Sequence, residues 1–150
     1  GNRRGAIFAK VVSPAADLSR YLSGVHMQLT WKCFDLTTID VALAQSFCLY
    51  VFHHKQDGDR PFYIGKAKYF GTKQPSGYKD SARYNSGYVY LLDGMLRSGF
   101  TLYIASIGET AYRDAEDYEQ ELIAQWNPLK NQKTKSVRKA VTTTKPWNNS

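Results

Sequence analysis

The chain has 150 residues, a formal net charge of +7 and eleven tyrosines. That length suits one domain with a real core, and 43% apolar with 22% charged residues is the composition of a soluble globular protein. No run is apolar enough to span a membrane, and Ala6–Val12 is too short and too interrupted by Lys10 to be a secretion signal, so no membrane association and a cytoplasmic location are expected. The positive charge points to a polyanionic partner, nucleic acid before an anionic membrane surface, and aromatic rings among cations suit nucleic-acid grooves.

Residues 1–5 are basic. Ser13-Pro14 is a helix start, an N-cap residue followed by proline, with a helix running to about Gly24. Gln28–Phe34 alternates as a strand, Asp35–Thr38 reads as a turn and Ile39–Ala44 as a short helix or loop. This N-terminal extension, residues 1–46, carries no chemical motif and is expected to cover one side of a sheet or meet a partner. Two cysteines, Cys33 and Cys48, are too few for a disulfide framework and are expected reduced and buried. A start at Gly1 leaves room for the chain being a domain of a longer protein.

Phe47–Phe52 and Pro61–Lys66 are aromatic, β-branched arms around the polar stretch 53–60, whose Asp57-Gly58-Asp59 is a turn signal. They predict an antiparallel hairpin, buried and central. Tyr50 and Tyr63 fall near each other where the arms pair. Gly65 at the end of the second arm would let a backbone or a phosphate approach, and Lys66 follows it. The same tyrosines read equally as core residues of a sheet. His53 and His54 point to opposite faces of a strand, and with His26 they do not space as a zinc site.

Residues 68–86 are broken by Gly71, Pro75, Gly77 and Asn85. Lys66, Lys68, Tyr69, Lys73, Tyr78, Lys79, Arg83 and Tyr84 interleave cations and rings around one acid, Asp80, a pattern for contacting nucleic acid. Tyr88, Leu91, Leu92 and Met95 have helical spacing, and Gly99 stops that helix. Thr101–Ile107 is a strand. Ala111–Trp126 is a strongly patterned helix. Asp114, Glu116 and Asp117 at its start are explained by the helix dipole. Glu119 is not, because it shares the apolar stripe of Tyr112, Ala115, Leu122, Ile123 and Trp126, with Gln120 and Glu121 on the polar side. A carboxylate so placed needs a cation, a hydrogen-bond cluster or a metal, and one inward glutamate with phosphate and water suffices for Mg²⁺. Pro128 ends the helix, Asn131 follows, and the remaining residues contain no acid. The tail, residues 132–150, reads as a basic arm or as a strand plus an arm along phosphates.

Cys48-Leu49-Tyr50, Tyr63-Ile64-Gly65, Arg83, Glu119 with Leu122-Ile123, and Pro128 with Asn131 together resemble the GIY-YIG endonucleases over residues 47–131. Tyr63-Ile64-Gly65-Lys66-Ala67-Lys68 is similar to the nuclease domain of the bacterial excision-repair incision protein. Cys48 and Leu49 depart from the first signature. Arg83 stands further along than in compact members, as in restriction enzymes with an inserted loop. The usual His or Tyr one turn after the arginine would fall at Gly87, with Tyr84 or Tyr88 as substitutes.

The resemblance implies an α/β (α+β) fold, a small, mainly antiparallel sheet flanked by helices, and Mg²⁺- or Mn²⁺-dependent hydrolysis of DNA. It implies Glu119 as ligand of one metal, Tyr50 or Tyr63 as proton acceptor with Lys66 lowering its pKa, Arg83 on the phosphate, and Asn131 orienting Glu119 or a backbone group. Lys68, Lys73, Lys79, Tyr84, Tyr88, Lys130 and Lys133 would contact nucleic acid. A restriction-type or phage-borne enzyme is the first reading. A toxin domain paired with an immunity protein, delivered into a target cell's cytoplasm, is the next, and a non-catalytic nucleic-acid-binding module is a further one. Double-strand cutting would call for a homodimer or sequential nicking.

Overall fold

The two aromatic arms pair as the alternation predicts, and the rest of the chain is layered on them. The computed structural model describes residues 26–71, 86–132 and 140–149. Strands β1 (His26–Gln28) and β2 (Lys32–Phe34) precede a short helix α1 (Ile39–Leu43). The hairpin is β3 (Ser46–His54) and β4 (Tyr63–Tyr69). Helix α2 (Ser86–Arg97), strand β5 (Phe100–Ser106), helices α3 (Gly108–Tyr112) and α4 (Ala115–Trp126) and strand β6 (Ala140–Thr142) complete the order. The fold is α+β. Four antiparallel strands lie in the order β2-β5-β3-β4, and β1 pairs with β6 in a separate parallel ribbon.

Period-two alternation on the strands makes two cores. Leu49, Val51 and Ile64 face α4, packing with Ala115, Tyr118, Leu122, Ile123 and Trp126. Cys48, Tyr50, Phe52 and Ala67 face the other way, towards Leu92 of α2 and Ala42 of α1. Local chemistry sets the element ends. Asp35 accepts from Thr37 N at 2.9 Å while Thr38 Oγ1 accepts from Asp35 N at 3.0 Å, a reciprocal cap that starts the turn before α1. Asn127 takes a left-handed conformation (φ 50°) and Pro128 follows, which ends α4. Arg60 Nε donates to Asn127 O at 2.8 Å, a cation set on the negative end of the helix.

Several expectations are corrected. The hairpin is not wholly central: β3 is, but β4 is an edge strand. Lys66 and Lys68 interrupt its apolar sequence, and the segment after α4 covers the start of that edge. Leu129 N donates to Pro61 O and Lys130 N to Phe62 O at 3.0 and 2.9 Å. The strand expected over Gln28–Phe34 splits into β1 and β2, which join different sheets. The helix expected over Ala111–Trp126 breaks at Arg113-Asp114, with Asp114 at the α4 N-cap position, where aspartate is favoured over a helix interior. Cys33 is exposed rather than buried, and Cys48 is buried. Gln120 is buried and Glu121 half-buried, so the inward side of α4 is wider than its apolar stripe.

The end of the tail is not a free arm. β6 pairs with β1, Lys145 bonds Asp59 of the hairpin turn, and Trp147 is buried against His53, ring centroids 4.8 Å apart and nearly parallel. The helix expected near residues 13–24 lies outside the described residues. No helix among the described residues is long and apolar enough to cross a membrane.

Candidate active site around the edge strand

Tyr50 stands opposite Gly65 in the hairpin register, and Tyr63 opposite Phe52. The Tyr50 ring lies across the Gly65 backbone, and a Cβ on Gly65 would run into that ring. Glycine is therefore required within β4 by a neighbouring phenol. The space expected for a phosphate at Gly65 is taken by Tyr50, and β4 continues past it to Tyr69. Tyr50 packs edge-on against Phe70 at 4.9 Å and stands 6.2 Å from Tyr63, centroid to centroid. Tyr50 is buried, whereas Tyr63 is half-exposed. With Phe62, Leu91, Leu92 and Met95 the two tyrosines border an apolar cavity of ≈ 220 Å³ on the α2 side of the sheet.

Glu119 and Lys66 belong to the other side. Lys66 alternates with Gly65 and so faces α4, as Ile64 does. Burial of the Glu119 carboxyl raises its pKa above the ordinary glutamate value. The Lys66 ammonium pulls it down in part, and Glu116 adds to the rise. Among the described residues none makes a hydrogen bond or an ion pair with Glu119. Such a half-buried carboxylate beside one lysine can donate a ligand to a divalent cation whose other ligands are water and phosphate. It fits that sparse coordination, and not an all-protein cage: the described residues hold no cluster of three or more His, Cys, Asp or Glu.

Asn131 joins the two sides at the outer edge of β4. Its Oδ1 accepts from Ile64 N at 3.4 Å and its Nδ2 donates to Ile64 O at 2.6 Å. The amide thus completes the edge as a strand residue would. Of the two roles open to Asn131, orienting Glu119 or a backbone group, the hydrogen bonds are those of the second.

The described structure therefore brings together Tyr50, Gly65 and Tyr63 on one face, Lys66 and Glu119 on the other, and Asn131 between them. Lys130 Nζ lies over the Phe62 ring at 5.8 Å and Lys68 Nζ over Tyr69 at 5.9 Å. Arg83, Lys73, Lys79, Tyr84 and Lys133 lie outside the described residues, and Tyr88 is in α2 with no side-chain description. His54 Nδ1 accepts from Gln56 N at 3.1 Å, which leaves Nε2 to donate to Ser98 O at 2.9 Å. His53 Nε2 meets Gly58 O at 2.7 Å. Both histidines are thus engaged by the backbone of nearby turns.

Two residues escaped the sequence reading. Tyr112 was placed only as part of an apolar stripe, yet Lys66 Nζ lies over its ring at 5.9 Å. Phe47 has φ 49°, a conformation that no sequence signal announces for a bulky aromatic. No family model, curated protein or solved structure matches the chain.

Proposed function

We propose that the chain is a metal-dependent DNA endonuclease of the GIY-YIG kind that hydrolyses phosphodiester bonds at the outer edge of β4. The observation that carries this reading is Glu119: a half-buried carboxylate of raised pKa, facing one lysine, with no hydrogen-bond or ion-pair partner among the described residues. Keeping a carboxylate there costs stability unless a cation joins it.

In this reading Glu119 would hold Mg²⁺, or Mn²⁺ in its place, which when bound would supply positive charge to polarise the scissile phosphate and offset the charge of the leaving oxygen. Lys66 adds a positive charge beside the same phosphate. Asn131 fixes the Ile64 peptide and so the spacing of Tyr63 and Lys66 on either side of it. Tyr63, the more exposed phenol, accepts the proton of the attacking water, directly or through a second water. Tyr50 holds Tyr63 and Gly65 in place. Arg83 would pair with phosphate oxygens as charge builds up.

The second reading, a non-catalytic nucleic-acid-binding module, is favoured by one observation: the sheet stands between the tyrosine pair and Glu119. Supercoiled plasmid incubated with Mg²⁺ separates the two. The endonuclease reading expects nicked or linear product from the wild type and none from Glu119→Gln. Absence of metal-dependent cleavage would leave the binding module, and undiminished cleavage by the variant would overturn Glu119 as the metal ligand.

A further inference from the structure

At the end of the hairpin where β3 begins and β4 finishes, five side chains form a linked set, of which the nuclease reading uses only Lys66. Phe47 is strained: φ 49° is costly for any bulky side chain and persists only where the surroundings enforce it. Its ring stands between two tyrosines, 5.6 Å from Tyr112 in an edge-to-face contact and 5.9 Å from Tyr69. Each tyrosine in turn carries a lysine of β4. Lys66 Nζ lies over Tyr112 and Lys68 Nζ over Tyr69, each at 5.9 Å from the ring centre. Those distances are within the range of a cation–π contact.

Lys66 and Lys68 are two residues apart on one strand. They leave the same face about 6.6–6.8 Å apart along it, comparable with successive phosphates along one nucleic-acid strand. A free lysine has a flexible stem, and fixing it on an anion costs side-chain entropy. A lysine already resting on a tyrosine ring has lost much of that freedom before the anion arrives. The ring leaves its charge intact.

We propose that Lys66 and Lys68, set on Tyr112 and Tyr69 by the strained Phe47 wedge, form a preorganised clamp for two consecutive phosphates of one DNA strand, with Glu119 beside the inner one. The lysines touch the phosphates, and Phe47, Tyr69 and Tyr112 are positioning residues. The clamp rests on the reading of the chain as a DNA-acting protein, but it is a binding device and does not require cleavage.

The test is the salt dependence of binding to a fluorescein-labelled duplex oligonucleotide in EDTA, read by anisotropy. Each phosphate contact contributes roughly 0.9 to the slope of log K against log salt. Lys68→Gln and Lys66→Gln are each expected to lower that slope by about one. Phe47→Gly, which relieves the φ cost and removes the ring, is expected to weaken binding roughly three- to tenfold at unchanged slope, because both charges remain and only their preorganisation is lost. Phe47→Tyr restores it. Tyr112→Leu weakens binding similarly and Tyr112→Phe does not, an independent arm should Phe47→Gly fail to fold. An unchanged slope in Lys68→Gln, or Tyr112→Leu binding as tightly as Tyr112→Phe at equal Tm, overturns the clamp. Plasmid cleavage in Mg²⁺ is scored separately: a clamp without cleavage overturns the nuclease reading, and cleavage without the slope changes overturns the clamp alone.

Discussion

On the α2 side of the sheet, β3 and β4 present aromatic rings packed edge-on or tilted against one another, with Tyr50 laid over a glycine and an apolar cavity beside it. On the α4 side the same strands present Leu49, Val51 and Ile64, then Lys66, with a carboxylate lowered onto them by α4. One strand, β4, supplies both sides by simple alternation. The difference teaches where charge is tolerated. The α2 side excludes it, since Tyr50 occupies the gap at Gly65. The α4 side admits an acid and a base, because Lys66 offsets part of the cost of burying Glu119.

The sharpest way to set the faces against each other is Glu119→Gln. Cleavage is expected to fall by roughly 10³-fold or to background, the loss of a charge partner of the transition state, with the fold intact by circular dichroism. Next in size is the contrast between phenols. Tyr63→Phe should lower the single-turnover rate by about 10²-fold, the scale of a proton-transfer partner, while Tyr50→Phe leaves it within about threefold, since the Tyr50 ring and its packing survive. Equal losses would merge the two tyrosines into one role.

Gly65→Ala tests the α2 side alone. The added methyl meets the Tyr50 ring, and overpacking of this kind costs about 1–3 kcal/mol, seen as a lower midpoint in urea unfolding. The smallest effect is a pH dependence on the α4 side. The Glu119 pKa is raised in the folded state, so the folded protein holds that proton more tightly than the unfolded chain does. Its contribution to stability is then lost as pH rises from the ordinary glutamate value through the raised one. Glu119→Gln cannot ionise and should melt at a higher temperature than the wild type near neutral pH, with the gap closing towards pH 4. A gap of the opposite sign would mean that Lys66 outweighs desolvation.

Much of this was legible in the residues, and what was not has identifiable reasons. Alternation and turn chemistry gave both hairpin arms. Helical spacing marked Glu119 as inward on α4. The wheel, however, tells which side of a helix is inward and nothing about which side of the sheet that helix covers. Glu119 and the tyrosines could thus be expected together and still be parted by a layer of backbone. The edge position of β4 was hidden for a related reason, because the segment that covers it comes far later in the chain. Trp147 in the core, reached through a stretch of threonines and a lysine, has no local pattern at all. Phe47 was invisible because a positive φ runs against the propensity of a bulky aromatic, so no local pattern announces it.

The Asn131 amide closes β4 from 67 positions downstream. At synthesis rates of about 5–20 residues per second, the ribosome needs roughly 3–13 s to make that stretch. Throughout that interval the hairpin emerges with an unpaired, apolar edge, the kind of strand that recruits another chain. The order of translation thus leaves the β4 edge open to another chain for that interval. Delay before residue 131, by pausing or by truncation, would be felt first as insolubility and only afterwards as lost activity.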